Sequence, residues 1–401
     1  MKRGIKTVKH FENENLQTQK KVKVKKIIFI FFILLIITII ILLILSYLKN
    51  ENTRNWVDKV IFRKQISQSN TRIIEIEEDE NNKIYAYDKY ICIFNKKKLL
   101  IYNRVGTKVE EIEVNINKPG FKSAGKYMSI YEEGGNKFYL LCGKDKLFEG
   151  EVEGNINLMN INKSGNVSMV LSNSSYKSII DVFNRNGEEL LKTNLVSSKV
   201  FDTSISQDNK YLAIAEIDTS GVLIKSSVQI VSIELAQNNP SEAIIEKYEA
   251  PSGKLLMNIE YQNNENLVCM YNDNIEIYKN KESKEIVRFE DTKVSFVSID
   301  FNNSISWLEE ISTGEYNSDT KVNFINTSTL KKDEYNAKEV AKSIKVFGNK
   351  IAVNFGTRLN IINSNGLLVR EYISEKEIND IIGTEYLVGI IFRDKIEIIN
   401  L

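Results

Sequence analysis

The sequence predicts an all-β fold, a β-propeller of seven or eight blades with eight favoured, set behind an N-terminal transmembrane helix. A six-residue apolar pattern recurs eight times, at Lys89–Phe94, Lys126–Tyr131, Asn166–Leu171, Lys210–Ala215, Asn266–Tyr271, Ser304–Glu309, Lys350–Phe355 and Glu385–Ile390. Successive copies begin 37, 40, 44, 56, 38, 46 and 35 positions apart. A period of roughly 40–45 residues with several short strands per repeat marks a propeller. A single long apolar run stands ahead of the first copy, and it has a basic flank.

That flank, residues 1–26, reads as a cytoplasmic tail. It holds nine Lys or Arg against Glu12 and Glu14, and by the positive-inside rule such a flank stays in the cytoplasm. Its cluster of Lys20, Lys21, Lys23, Lys25 and Lys26 sets the topology and lies where anionic lipid headgroups would meet it. The whole chain carries a net charge of +1. Without the tail, 45 basic and 51 acidic residues remain, a net of −6, so nucleic acid is not an expected partner.

Residues 27–48 are the expected transmembrane helix. Between Ile27 and Leu45 only Thr38 is not apolar, and at the helical rise this run spans roughly 28 Å, close to the hydrocarbon thickness. The run is longer than a signal-peptide core, and no small-residue cleavage pair follows it, so an uncleaved signal-anchor is expected. The predicted localisation is therefore a single-pass cell-membrane protein with its propeller outside the cytoplasm. Residues 49–70 read as a juxtamembrane stalk. There Trp56, Val57, Val60, Ile61 and Phe62 recur at helical spacing, which would put Trp56 at the bilayer surface.

Residues 71–401 are the expected propeller. Each repeat reads as four strands, and the fourth copy is the clearest: 200–207, 211–217, 228–235 and 243–248. Tight turns close the third and fourth strands at Asn103–Gly106, Asn184–Gly187 and Asn363–Gly366. Glycine supplies the positive φ that such a turn needs. Within strands both faces tend to be apolar, as expected when neighbouring blades cover a sheet on both sides. The last repeat lacks an outer strand, whereas Thr71–Glu77 is a strand without a partner. Pairing the two would close an eighth blade and leave no exposed edge.

The only histidine, His10, lies in the tail. The outer domain therefore cannot build a Ser-His-Asp or Cys-His machine, nor a histidine-ligated zinc site. Cys92, Cys142 and Cys269 sit singly in apolar strands and read as small buried hydrophobes. No cofactor or metal is expected. The Asp/Asn clusters at Asp79–Asn82 and Asn272–Asn274 lack the regular spacing of a calcium loop.

Two loops between second and third strands are long in the sequence, 216–227 and 309–321. The second joins Glu309, Glu310, Glu315, Tyr316 and Asp319 to Trp307, the only tryptophan of the repeats. An aromatic beside acids is a candidate binding patch for a peptide or sugar. Set against that reading, Trp307 would simply pack in its blade and the acids would be a solvated loop.

The hairpin Ser204–Ala215, with Asp208, Tyr211, Leu212 and Ala213, resembles the turn of WD-repeat-like and quinoprotein-like propellers. The likeness covers roughly residues 71–401, and the whole layout looks most like single-pass anchored propellers of clostridial genomes, so a bacterial source is implied. It implies an architecture and carries no activity with it. No Trp-Asp dipeptide ends a blade, and neither tryptophan-docking repeats nor a sialidase-type Asp box is present. The expected function is a tethered scaffold that is not an enzyme, with membrane lipids and a protein or cell-envelope polymer as partners. The alternative is an envelope enzyme that uses carboxylates on glycans.

Overall fold

The computed structural model describes residues 31–46, 57 and 71–401, apart from 80–81, 197, 223, 252, 290–292, 301–302 and 313–317. The tail lysines, Trp56, most of the stalk, and Glu315 and Tyr316 lie outside the described residues.

Residues 31–46 form an α-helix whose side chains are exposed. Thr38 satisfies its hydroxyl within the helix by donating to the Leu34 carbonyl at 2.8 Å, which an apolar helix requires of a lone hydroxyl. Among the described residues no helix is long and apolar enough to cross a membrane. The helix and the repeats form two separate compact units.

The repeats fold into eight four-stranded antiparallel sheets. In chain order from residue 83, the innermost strands of blades 1 to 8 are Lys83–Tyr87, Pro119–Ala124, Asn155–Ile161, Lys199–Ile205, Leu256–Tyr261, Lys293–Asp300, Ser343–Phe347 and Asp380–Gly383. Blade 8 is completed from the other end of the unit. Arg72–Glu75 pairs antiparallel with Lys395–Asn400, setting Arg72 opposite Ile398 and Glu75 opposite Lys395. The predicted closure and the predicted count of eight are both present.

The apolar faces of these strands are used at the seams between blades. Among the described residues eight hydrophobic clusters of buried residues occur, and each bridges two neighbouring blades all the way round. The second strands, which carry the repeated pattern, are buried on both faces; Tyr90–Asn95 has four buried residues in its middle. Each large aliphatic buried in this way contributes about 1.5–3 kcal/mol. The seam between blades 8 and 1 holds Ile74, Ile91, Ile93, Leu387, Ile396 and Ile398, so the closing strand delivers a core residue as well as backbone pairing.

Polar bonds repeat along with the apolar pattern. In three seams the third residue of a third strand meets a tyrosine from the outer strand of the preceding blade. Tyr248 donates to Glu276 at 3.0 Å and Tyr372 to Glu397 at 2.8 Å, while Asn360 donates to the Tyr335 hydroxyl at 3.0 Å. These are buried partners for groups that would be costly to leave unpaired.

The asparagine-glycine turns form as the sequence requires. Gly106, Gly187 and Gly366 have φ of 79°, 84° and 75°, and each turn's asparagine side chain accepts two backbone N–H groups, as Asn363 does from Asn365 and Leu367 at 3.0 and 3.1 Å. A Cβ on Gly366 would stand 2.4 Å from the Glu334 carbonyl of blade 6. Conformation and space both demand glycine there.

Three stretches depart from the sequence expectation, the first being the loop expected over 216–227 in blade 4, where strand pairing continues to Asp218 opposite Lys225. Instead of a loop over 309–321, blade 6 has a long hairpin, Ser304–Ser312 with Ser318–Asn326, paired out to Ser312 opposite Ser318. Backbone pairing continues because the polar side chains project above the seam and need not be buried. In blade 4 the third strand ends at Ser232. A short helix follows, Ile233–Asn238, in which the Ser232 hydroxyl accepts from the Leu235 N–H and Ile233 and Ala236 are buried. The serine cap ends the strand.

Candidate functional site

The ring has two faces. One carries the turns between first and second strands and between third and fourth strands. The other carries the loops between second and third strands and the blade-to-blade connections.

The turn face is tied down by hydrogen bonds from blade to blade. Thr384 donates to the Asp88 carbonyl at 2.7 Å, Asn162 to the Ser206 carbonyl at 2.9 Å, Gln207 to the Tyr261 carbonyl at 3.1 Å and Ser304 to the Gly348 carbonyl at 3.1 Å. Thr327 donates to Gln262, and the Tyr87 hydroxyl to the Gly143 carbonyl.

The loop face is also bonded between blades, as where the Val200 and Leu256 N–H groups donate to Ser178 and Ser226 at 2.9 and 3.0 Å, but it differs in strand pairing. The innermost strands of blades 3, 4, 5 and 6 each contain a β-bulge near their loop-face end, at Asn157, Phe201, Met257 and Ser295. The innermost strands of the other four blades pair regularly. A bulge re-aims its neighbours, and here Met257 is 52 % exposed and Phe296 43 %. Val222 and Ile224 in the loop of blade 4, Ile311 in the hairpin of blade 6 and Val340 in the next connection are exposed on the same face.

The sequence-predicted patch stands beside this set. Trp307 is only 6 % exposed. It packs in the seam of blades 5 and 6, edge-on to Phe289, and its indole N–H donates to Glu309 at 2.9 Å. Strand alternation puts Trp307, Glu309 and Ile311 on one side of the hairpin, with Asp319 directly opposite Ile311. Glu310 projects from the other side. The structure thus brings Glu309 and Asp319 to the loop face and places Trp307 beneath them. The exposed Val222, Ile224, Met257 and Phe296 were missed in the sequence; the apolar run Val222–Ile224 between loop residues was the available signal.

Along the axis, a cavity of about 850 Å³ opens toward the turn face and is lined by all eight innermost strands. Asp202 lines it from blade 4. One carboxylate oxygen accepts from the Asn160 amide at 2.9 Å and the Thr203 N–H at 2.9 Å; the other accepts from the Asn258 amide at 2.7 Å and the Ile259 N–H at 2.9 Å. Burial raises its pKa, opposed by these donors and by Lys122. Asp202 is a clamp between blades 3, 4 and 5, and both its oxygens are committed to that task.

Cys92, Cys142 and Cys269 are free, and burial pushes the thiols of Cys92 and Cys269 far up, which suppresses thiolate chemistry. Among the described residues no group of three metal-ligating side chains is assembled.

A family model described as a family of unknown function, DUF5711, matches residues 62–401. No curated protein matches the chain. Among solved structures the chain is similar to Chaetomium thermophilum Sqt1 bound to the N-terminus of ribosomal protein L10, with 10% identity, a TM-score of 0.52, and coverage of 82% of this chain and 99% of that one. It is also similar to BamB from Moraxella catarrhalis, with 11% identity, a TM-score of 0.47, and coverage of 82% and 96%. AztD from Citrobacter koseri matches at 11% identity and a TM-score of 0.46, covering 74% and 87%. These neighbours are β-propellers, and the likeness is one of fold.

Proposed function

The chain belongs to the DUF5711 family, and from that premise we propose that it is a membrane-tethered, non-catalytic scaffold whose propeller docks a protein partner on the loop face of blades 4 to 6. The observation that carries this reading is the placement of Val222, Ile224, Met257, Phe296 and Ile311 on one face of three successive blades. Exposed apolar side chains rimmed by polar residues are what a protein interface buries. The capture of the L10 N-terminus by Sqt1 supports the reading, since a ring of this fold holds a polypeptide segment in that complex. The commitment of both Asp202 oxygens to structural donors supports binding over catalysis.

The test uses the full-length protein with a photo-crosslinking residue at Phe296 or Val222 and, as a control, at Val105 on the turn face. The first two positions are expected to give one and the same protein adduct, absent at Val105, and Ile224→Asp is expected to reduce its yield at least about tenfold. Equal adducts from both faces, or none from the loop face, would overturn the assignment.

The tether rests on the 19-residue apolar run and its basic flank. In a Cys142→Ser background, a cysteine introduced in place of Val105 is expected to react with a membrane-impermeant maleimide on intact cells, whereas one introduced in place of Thr7 reacts only after lysis. The opposite pattern would place the propeller in the cytoplasm.

A further inference from the structure

We propose that the axial cavity is a binding site for a small, multiply anionic ligand held by Lys122 and Lys345. This site is independent of the loop-face docking surface and opens on the other face. Lys122 comes from the innermost strand of blade 2 and Lys345 from that of blade 7; both line the cavity and both are exposed to it. Among the described residues neither lysine has a carboxylate within ion-pair distance, although many surface lysines of this ring do, such as Lys98 with Glu111 at 2.6 Å and Lys321 with Glu334 at 2.7 Å.

An acid that Lys122 acts on electrostatically is Asp202, two blades away, whose two oxygens are taken up by four nitrogen donors. The ammonium therefore feels that charge without an acceptor to bond. Asp88, Glu260 and Glu385 also line the cavity, together with Lys89, Lys126 and Lys163. The turn-face mouth is thus mixed in sign, and Lys122 and Lys345 are the two cations that reach it from innermost strands rather than from turns. Lys89 lies over the Tyr386 ring and Lys126 over the Tyr127 ring, at 5.3 and 5.4 Å.

An ammonium in a partly enclosed space has lost some of its water, so an entering anion regains more there than at an open surface. Tyr85 stacked on Phe121, with ring centroids 3.8 Å apart, supplies a flat apolar wall. The volume suits a small molecule, since such sites run from about 300 to 1,000 Å³. Carboxylate and phosphate share this chemistry, and the experiment separates them.

Purified full-length protein is titrated calorimetrically with citrate, with pyrophosphate, and with neutral trehalose. One of the anions is expected to bind, more weakly as salt rises, and trehalose is expected not to. Lys122→Gln and Lys345→Gln are each expected to weaken binding at least tenfold. Lys122→Arg should retain it, and Lys96→Gln on the outer surface should leave it unchanged. Circular dichroism melts confirm that each variant folds. Citrate binding without pyrophosphate binding identifies a carboxylate ligand, and the reverse a phosphate ester. No heat with either anion at millimolar concentration, or affinity unchanged in both glutamine variants, would overturn the site.

Discussion

Excising residues 71–77 from the full chain is expected to convert a closed ring into an open, self-associating one. The strand Arg72–Glu75 closes blade 8 through four register pairs with Lys395–Asn400, and it buries Ile74 to 2 % exposure in the seam with blade 1. It also packs on the next turn: a Cβ on Gly106 would stand 3.0 Å from the Ile73 carbonyl. Losing one buried isoleucine costs about 2–3 kcal/mol, and each lost backbone hydrogen bond about 1 kcal/mol more, so a total on the order of 5 kcal/mol is expected. The excision also leaves Lys395–Asn400 as a bare edge, which templates pairing with another chain. Light scattering should report oligomers, and the melting temperature should fall by many degrees. A peptide of residues 71–77 added in trans should restore both by strand addition. A monomer with an unchanged melting temperature would show that the ring is not closed through this strand.

The same strand shows why so much of the ring is legible in the sequence. Repeats need a constant core, so Tyr90–Asn95 and its seven counterparts carry the same apolar run, and the unpartnered Thr71–Glu77 completes the count. Turn chemistry is equally local: Asn103, Asn184 and Asn363 each bond their own turn, and a glycine three residues later takes the positive φ. What distinguishes one blade from another is not local. A bulge at Met257 depends on how the neighbouring strand pairs, and nothing in a row of apolar residues announces it. Hairpin length in blade 6 was hidden because Glu310 and Asp319 read as loop residues, although backbone pairing beyond the seam needs no apolar side chain. Ile233 and Leu235 prolong a strand-like pattern, and only the hydroxyl of Ser232 turns it into a helix. The candidate site suffered most. Trp307 is a seam residue, whereas Lys122 and Lys345 read as ordinary solvated lysines until eight strands place them around one axis.

Asp181 is where the ring keeps a destabilising charge, and Asp181→Asn is expected to stabilise it in a pH-dependent manner. Asp181 lies in the third strand of blade 3, is 2 % exposed, and has one carboxylate oxygen buried without a hydrogen-bond partner. Lys192 stands opposite it in register but pairs with Glu153 at 3.4 Å. Burial, and then the charge of Glu189, raise the Asp181 pKa from 3.8 to about 7. The folded state therefore holds this proton at pH values where the unfolded chain has released it. Below about pH 4 both states are protonated and the aspartate costs nothing. Stability falls as pH rises from about 4 to 7, because there the folded state binds more protons. Above pH 7 the full cost persists, on the order of 4 kcal/mol for a shift of this size. The asparagine keeps the shape and loses the charge. Its melting temperature should match that of the wild type near pH 4 and exceed it by several degrees at pH 8. The raised carboxyls of Asp202 and Glu216 titrate in the same direction in both proteins, so they cancel in the comparison. A difference that stays constant from pH 4 to pH 8 would mean that the variant acts through packing and that Asp181 is not held protonated by burial.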